Sequence, residues 1–452
     1  MNKREFLAMG GAMPLMLAGC GGSGSGSAPV RLVNASVGYP NLGFMVESTQ
    51  ATSTDVAYGA ASPFENVQAG SVGITLTVGG ASATAAQTRT VNKDQRYSLV
   101  AYGYANELKS VLIAESNTTP DSGKANVNVL NTSVDIGAVD VYLSTTKDLS
   151  VSTLIASSLS GVSQSAFSGV LAGSYYVTVV GANSISKGIS DVRFQSPAAV
   201  TLTALEVLTI ILTPGASGVL ANTILLTQGT GGGTVSYLNT TARVRAVTAV
   251  PGMATSIAGT TATGTAVTVL SSSTTPQYSN YVVVTTGTPP TVTVNGTAVP
   301  VVMDSTNSTT GVTTEVAGSL SAGGDYTLMV YLDSSNAPKA KVIADNNTAP
   351  VTSSGVKFRL INLASDNQGL QLSMSMNSIS IASNIPYATA SEYTEVSSVP
   401  QTTNSTATVD NGPTTLVSHT QVMALGNIFT DIVVSVPSSG SVQDFFRSAS
   451  GT

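Results

Sequence analysis

The chain of 452 residues has few charges: Asp, Glu, Lys and Arg together make up 9% of it, where about 25% is usual. Disorder driven by self-repulsion is therefore excluded as a general description, because 42% of the residues are hydrophobic, enough to bury cores. Basic residues number 18 against 24 acidic ones, a net charge of -6. No positive surface can dominate, which argues against a nucleic-acid partner. One Cys, one His and no Trp are present. That inventory builds neither a disulfide framework nor a zinc site of Cys and His ligands. Sustained helical periodicity is missing as well, and 43 Gly with 18 Pro interrupt any attempt at it. No residue set defines a biochemical activity. Location and construction are better written.

The N-terminus reads as an export signal, residues 1–19. Lys3 and Arg4 precede an apolar stretch from Phe6 to Leu17, too short for the roughly 20 residues that span a bilayer. Its end, Leu17-Ala18-Gly19-Cys20, resembles the lipobox of bacterial lipoproteins. The resemblance implies cleavage between Gly19 and Cys20 and acylation of Cys20, hence a membrane partner through lipid. More than one acyl chain gives stable anchoring. Lys3-Arg4-Glu5-Phe6-Leu7 is similar to a twin-arginine signal with Lys in the first Arg position, and the general secretory route stays equally open. Gly21 follows the Cys where Asp would favour inner-membrane retention. The expectation is an exported protein anchored in the outer membrane, on its periplasmic face or at the cell surface. Loss of the signal leaves 16 basic and 23 acidic residues, a charge of -7. Residues 20–29 read as a flexible Gly/Ser tether.

The mature part reads as all-β. Val72, Ile74, Leu76 and Val78 alternate with Gly73, Thr75 and Thr77, the period-2 pattern of a half-buried strand. Tyr97 to Tyr102 and Tyr326 to Tyr331 have strand composition. Asn295-Gly296 between Thr291–Val294 and Thr297–Val299 predicts a hairpin with a type I′ turn.

A repeat of about 110 residues organises these strands. Ser62-x-Phe64-x-x-Val67 recurs as Ser165-x-Phe167-x-x-Val170, Ser279-x-Tyr281-x-x-Val284 and Ser391-x-Tyr393-x-x-Val396, at spacings of 103, 114 and 112. Each is expected to be a corner whose Ser bonds to backbone and whose ring enters the core. Ile113-Ala114-Glu115 through Pro120 resembles Ile343-Ala344-Asp345 through Pro350, which suggests that units one and two, and three and four, form related pairs. Strands opening each unit alternate apolar residues with Arg31, Asn128, Arg243, Arg245, Lys357 or Arg359; the polar set is expected to face solvent. Four sandwich units follow: 30–124, 125–241, 242–354 (the divergent one) and 355–452. The Pro120 and Pro350 loops mark two junctions and Gly229–Gly233 the third.

Val30-Arg31-Leu32-Val33-Asn34-Ala35-Ser36, with Leu130-Asn131-Thr132-Ser133-Val134-Asp135 and Ala138-Val139-Asp140-Val141-Tyr142, resembles the opening of the bacterial domain of unknown function 4397, with Asn34 where that family has His. The resemblance implies tandem copies in a secreted protein or lipoprotein and an immunoglobulin-like or transthyretin-like β-sandwich. It implies no reaction.

Chemical constellations are sparse. A Ser-His-Asp triad would need His419, which reads as a strand residue. Asp135 with Asp140, or Glu115 with Asp121, offers oxygens for Ca²⁺, but turn and loop roles explain them more simply. Gly231-Gly232-Gly233 lacks the helix and Lys of a phosphate cradle. Tyr175-Tyr176 suits either sugar stacking or sheet packing. No catalytic residue, metal site or cofactor is assigned. The leading expectation is a non-catalytic, lipid-anchored envelope protein with a structural, adhesive or display role. The alternatives are a surface lipoprotein that binds glycan or peptide and, more remotely, a hydrolase.

Overall fold

The computed structural model describes residues 26–182, 191–262, 264–306, 308, 311–352, 354–364, 371–377, 379–397, 402–409, 415–422, 426–436 and 441–448. Strands account for almost every regular element; a single 3₁₀ turn, Leu149–Val151, is the one helical element among the described residues. The all-β reading holds.

Eight sheets pack in pairs to give four sandwiches. In each, the opening strand sits in the middle of one sheet and pairs in parallel with a strand far downstream. The four parallel pairs are Ser27–Asn34 with Tyr97–Tyr102, Lys124–Asn131 with Val207–Pro214, Thr241–Thr248 with Asp325–Leu332, and Val356–Leu363 with Ile428–Val436. A facing sheet closes each core, for example Asn41–Val46, Gly70–Val78 and Gln87–Val91 in the first sandwich. Val30, Leu32, Phe44, Ile74, Leu76 and Leu99 fill that core. The hairpin at Asn295-Gly296 forms as expected: both residues take positive φ, 51° and 78°, as a type I′ turn requires.

The recurring Ser motif is a latch repeated four times. The N–H groups of Leu32, Val129, Ala246 and Leu360 donate to the Oγ of Ser62, Ser165, Ser279 and Ser391 at 2.8–3.0 Å. Each Ser N–H donates back to the carbonyl of the same residue on the opening strand at 2.8–2.9 Å. Each hydroxyl also donates to the next carbonyl along its own chain. The Ser thus bends the chain while keeping the sheet edge satisfied. The trailing Val67, Val170, Val284 and Val396 are buried in the four cores.

Three expectations are corrected. The polar residues of the opening strands do not face solvent: Arg31, Asn128 and Arg245 are each 1% exposed and Arg359 2%. The sheets that carry them are covered on their second face by another sandwich. Val33, Val100, Leu130, Ile211 and Ile224 form a core between the first and second sandwiches. Val247, Met329, Ile361 and Ile432 do the same between the third and fourth. The latch rings, in turn, do not enter the apolar cores. Phe64 lies over Arg31 at 4.7 Å, Tyr281 over Arg243 at 4.5 Å and Tyr393 over Arg359 at 4.7 Å. Phe167 precedes Ser168–Leu171, which pairs with an opening strand that carries Asn126 and Asn128 in place of arginines, and it is 37% exposed.

The Gly229–Gly233 segment is not a junction. It is the turn between Ala221–Thr227 and Thr234–Tyr237, which pair within the second sandwich. The crossing to the third falls at Leu238–Thr240, where the Asn239 amide donates to the carbonyls of Arg193 and Ala221.

Candidate functional site

Two charged seams and one cleft are the places where distant parts of the chain meet. In the first seam, Arg31 donates from Nε to Ser98 Oγ at 3.0 Å and from Nη2 to Glu115 Oε1 at 2.6 Å. It crosses to the second sandwich through the carbonyls of Gly232, at 2.7 Å, and Thr227, at 2.9 Å. Glu115 answers by accepting the Gly229 N–H at 2.7 Å. The second sandwich carries a neutral version of the same trio. Gln228 donates to Thr209 Oγ1 at 2.8 Å and accepts the Ser116 N–H at 2.7 Å. Asn128 stands where Arg31 stands in the first.

The second seam is more highly charged. Arg243 grips Asp325 through two nitrogens, at 2.7 and 2.5 Å. Arg245 donates to Thr327 Oγ1 and, across the seam, to Thr430 Oγ1, both at 2.8 Å. Asp345 receives Arg359, Thr327 and the Tyr281 hydroxyl, with Arg245 at 3.4 Å. Burial by itself would raise the Asp345 carboxyl. Arg359 and Arg245, with the hydrogen bonds, outweigh it and hold it below the ordinary carboxylate value. Lys357 Nζ is held by both oxygens of Thr348 and both of Asn346, at 2.9–3.3 Å, and burial pushes its pKa down. Burial also pushes the Tyr281 and Tyr393 hydroxyls up.

The two pairs of sandwiches join around a cleft of about 1190 Å³ that all four line. Asp135 ties its walls: one oxygen accepts the Tyr104 hydroxyl at 2.7 Å and the other the Ala349 N–H at 2.5 Å. Beside it, Ser217 Oγ accepts the Asp325 N–H at 2.9 Å and Ser217 N–H donates to Gly323 at 3.1 Å. Gly218 makes this close approach possible. Its φ is +96° and a Cβ there would sit 2.8 Å from the Asn347 carbonyl.

The acidic residues considered for Ca²⁺ are placed apart in role. Glu115 belongs to the first seam, and Asp121 pairs with Lys124 at 3.0 Å. Asp135 braces the cleft, while Asp140 accepts the Ser158 N–H at 2.7 Å. Among the described residues no three His, Cys, Asp or Glu gather. The Gly231–Gly233 turn serves Arg31 through a carbonyl. Tyr175 donates to the Leu171 carbonyl, and Tyr176 lies under Lys147 at 5.6 Å. His419 occupies the strand Thr415–Val422 opposite Ser405, and its side chain lies outside the described residues. Gly19 and Cys20, with the whole segment 1–25, also lie outside them. Asn34, where the resembling family has His, accepts the Ser36 N–H and donates to the carbonyls of Tyr39 and Val56. Asn131 and Asn362 form the same turn.

Sequence reasoning missed the seams. A signal for them was present: Tyr97–Tyr102 and Val207–Pro214 are apolar or nearly so on both faces, the mark of a strand covered twice.

Residues 28–142 match the model of a domain of unknown function, DUF4397. The match takes in the first sandwich and the first two strands of the second. No curated protein matches the sequence. Among solved structures, a candidate cell adhesion protein from Bacteroides uniformis ATCC 8492 is similar over 50% of this chain and 100% of its own, at 9% identity and a TM-score of 0.19. The Bacillus anthracis TIE protein is similar over 87% of this chain and 65% of its own, at 9% identity and a TM-score of 0.14. At these scores neither likeness bears on function.

Proposed function

We propose that the chain is a non-catalytic, lipid-anchored protein of the bacterial cell envelope, built from tandem copies of one sandwich and serving as a scaffold or adhesive platform. The observation that carries this reading is the use made of the charges. Arg31, Glu115, Arg245, Asp345 and Arg359 are all buried and make bonds that cross between sandwiches, and Arg243 and Asp325 are buried as a pair beside them. Side chains that elsewhere do acid–base work here join modules into one body. The shared topology and the fourfold Ser latch support the tandem-copy reading. Leu17-Ala18-Gly19-Cys20 supports acylation at Cys20 after cleavage behind Gly19, and Gly21 supports the outer membrane.

The test is Cys20→Ser in the native host. The variant is expected to leave the membrane fraction and to lose palmitate labelling. A variant that stays membrane-bound overturns the anchor. A second reading, capture of a ligand between the sandwiches, is favoured by the cleft alone.

A further inference from the structure

The lining of the central cleft carries two opposite kinds of hydrogen-bonding demand. Its rim holds acceptors: Glu107 from the first sandwich, Asp304 from the third and Glu392 from the fourth. Asp304 is matched by Lys341 at 2.7 Å. Glu107 and Glu392 make no ion pair or side-chain hydrogen bond among the described residues. The lining also includes two cations, Arg359 and Lys109. Arg359 is 2% exposed, and its terminal nitrogens serve Ala344, Thr327 and Asp345. Its Nε–H has no acceptor among the described residues, and it is buried out of a ligand's reach. Lys109, exposed on the wall, is the donor that a ligand can reach.

A simple anion would meet the rim carboxylates, and a simple cation would meet Lys109. Hydroxyl groups satisfy both, because each donates and accepts. The volume exceeds the roughly 300–1,000 Å³ of pockets for single small molecules, so several linked rings fit. The Asp135 brace fixes the walls in advance, which lowers the ordering cost of binding. We infer that this cleft is a binding site for a polyhydroxylated ligand, an oligosaccharide of several sugar rings. The inference deepens the ligand-capture reading and is independent of the lipid anchor.

The full chain in detergent is applied to an array of bacterial and plant oligosaccharides, and the tightest glycan is then titrated by calorimetry. Saturable binding is expected. Glu107→Gln with Glu392→Gln, both on the rim, is expected to weaken it at least about tenfold with an unchanged melting temperature. Retention of no glycan overturns the inference, as does binding that the double variant leaves intact. Salt-sensitive binding of hexalysine without any sugar assigns the cleft to cationic peptides instead and overturns it too. Cys20→Ser alters membrane partition and not glycan retention, so failure of the anchor and failure of the cleft are read separately.

Discussion

Arg359 of the fourth sandwich donates to Asp345 of the third, deep between two sheets where neither side chain meets solvent. Arg245 approaches the same carboxylate from the opposite strand at 3.4 Å. One acid therefore serves two guanidinium groups from two modules. Asp345→Asn leaves both cations buried with an uncharged partner, and a broken buried pair costs about 3–5 kcal/mol. Urea unfolding should show that loss. A loss under about 1 kcal/mol would mean that Thr327 and Thr430 hold the arginines unaided.

The seam also sets a pH window. Because the Asp345 carboxyl is held below its ordinary value, its contribution is complete above the unfolded carboxylate range, near pH 4. It fades as pH falls through the lowered value. The Tyr281 and Tyr393 hydroxyls are raised by burial, and Tyr331 is pushed up to about 12. Their contribution is complete below about pH 10 and is lost as pH climbs through the raised values. Melting temperature against pH should be flat between those limits and fall on both sides. The alkaline fall should coincide with the rise in tyrosinate absorbance, and Asp345→Asn should flatten the acid one.

Removing a latch hydroxyl leaves a backbone N–H on the opening strand without its acceptor. Ser165→Ala and Ser391→Ala should each destabilise their own sandwich by about 1–3 kcal/mol. Hydrogen exchange checks the locality: Val129 and Leu360 N–H groups should lose protection in their own variant and keep it in the other.

Trypsin should cut the native chain sparingly. Arg31, Arg243, Arg245, Lys341, Lys357 and Arg359 are buried, whereas Lys93 and Lys147 are exposed in turns. Peptide mapping of a brief digest should find the exposed sites first. Early cleavage after Arg245 or Arg359 would contradict the packed seams.

Much of this architecture is legible in the residues, and the limits are physical. The Ser-x-aromatic-x-x-Val repeat marks four corners correctly because a latch is local: its Ser, its turn and its buried Val lie within six residues. The pairing of the first with the second unit and the third with the fourth is visible in the Glu115 and Asp345 segments, which hold the acids of the two seams. What misleads is the alternation in Val30-Arg31-Leu32 and Lys357-Phe358-Arg359. Period 2 tells that two faces differ, not that the polar one is wet. A second sandwich converts it to interior, and that partner lies up to 201 residues away, as from Arg31 to Gly232. The cleft is less legible still, since its walls are strands and loops from all four modules and no local pattern marks them.

The parallel pairing in each sandwich governs the order of assembly. Arg31 meets Ser98 only after 67 further residues have arrived. Each module thus stays open until nearly its whole length is available, and such long-range closure is slow. Whichever sandwich is made first carries a bare charged sheet until its neighbour is complete. A chain truncated after an odd-numbered module should therefore aggregate, while one ending after an even-numbered module should stay dispersed.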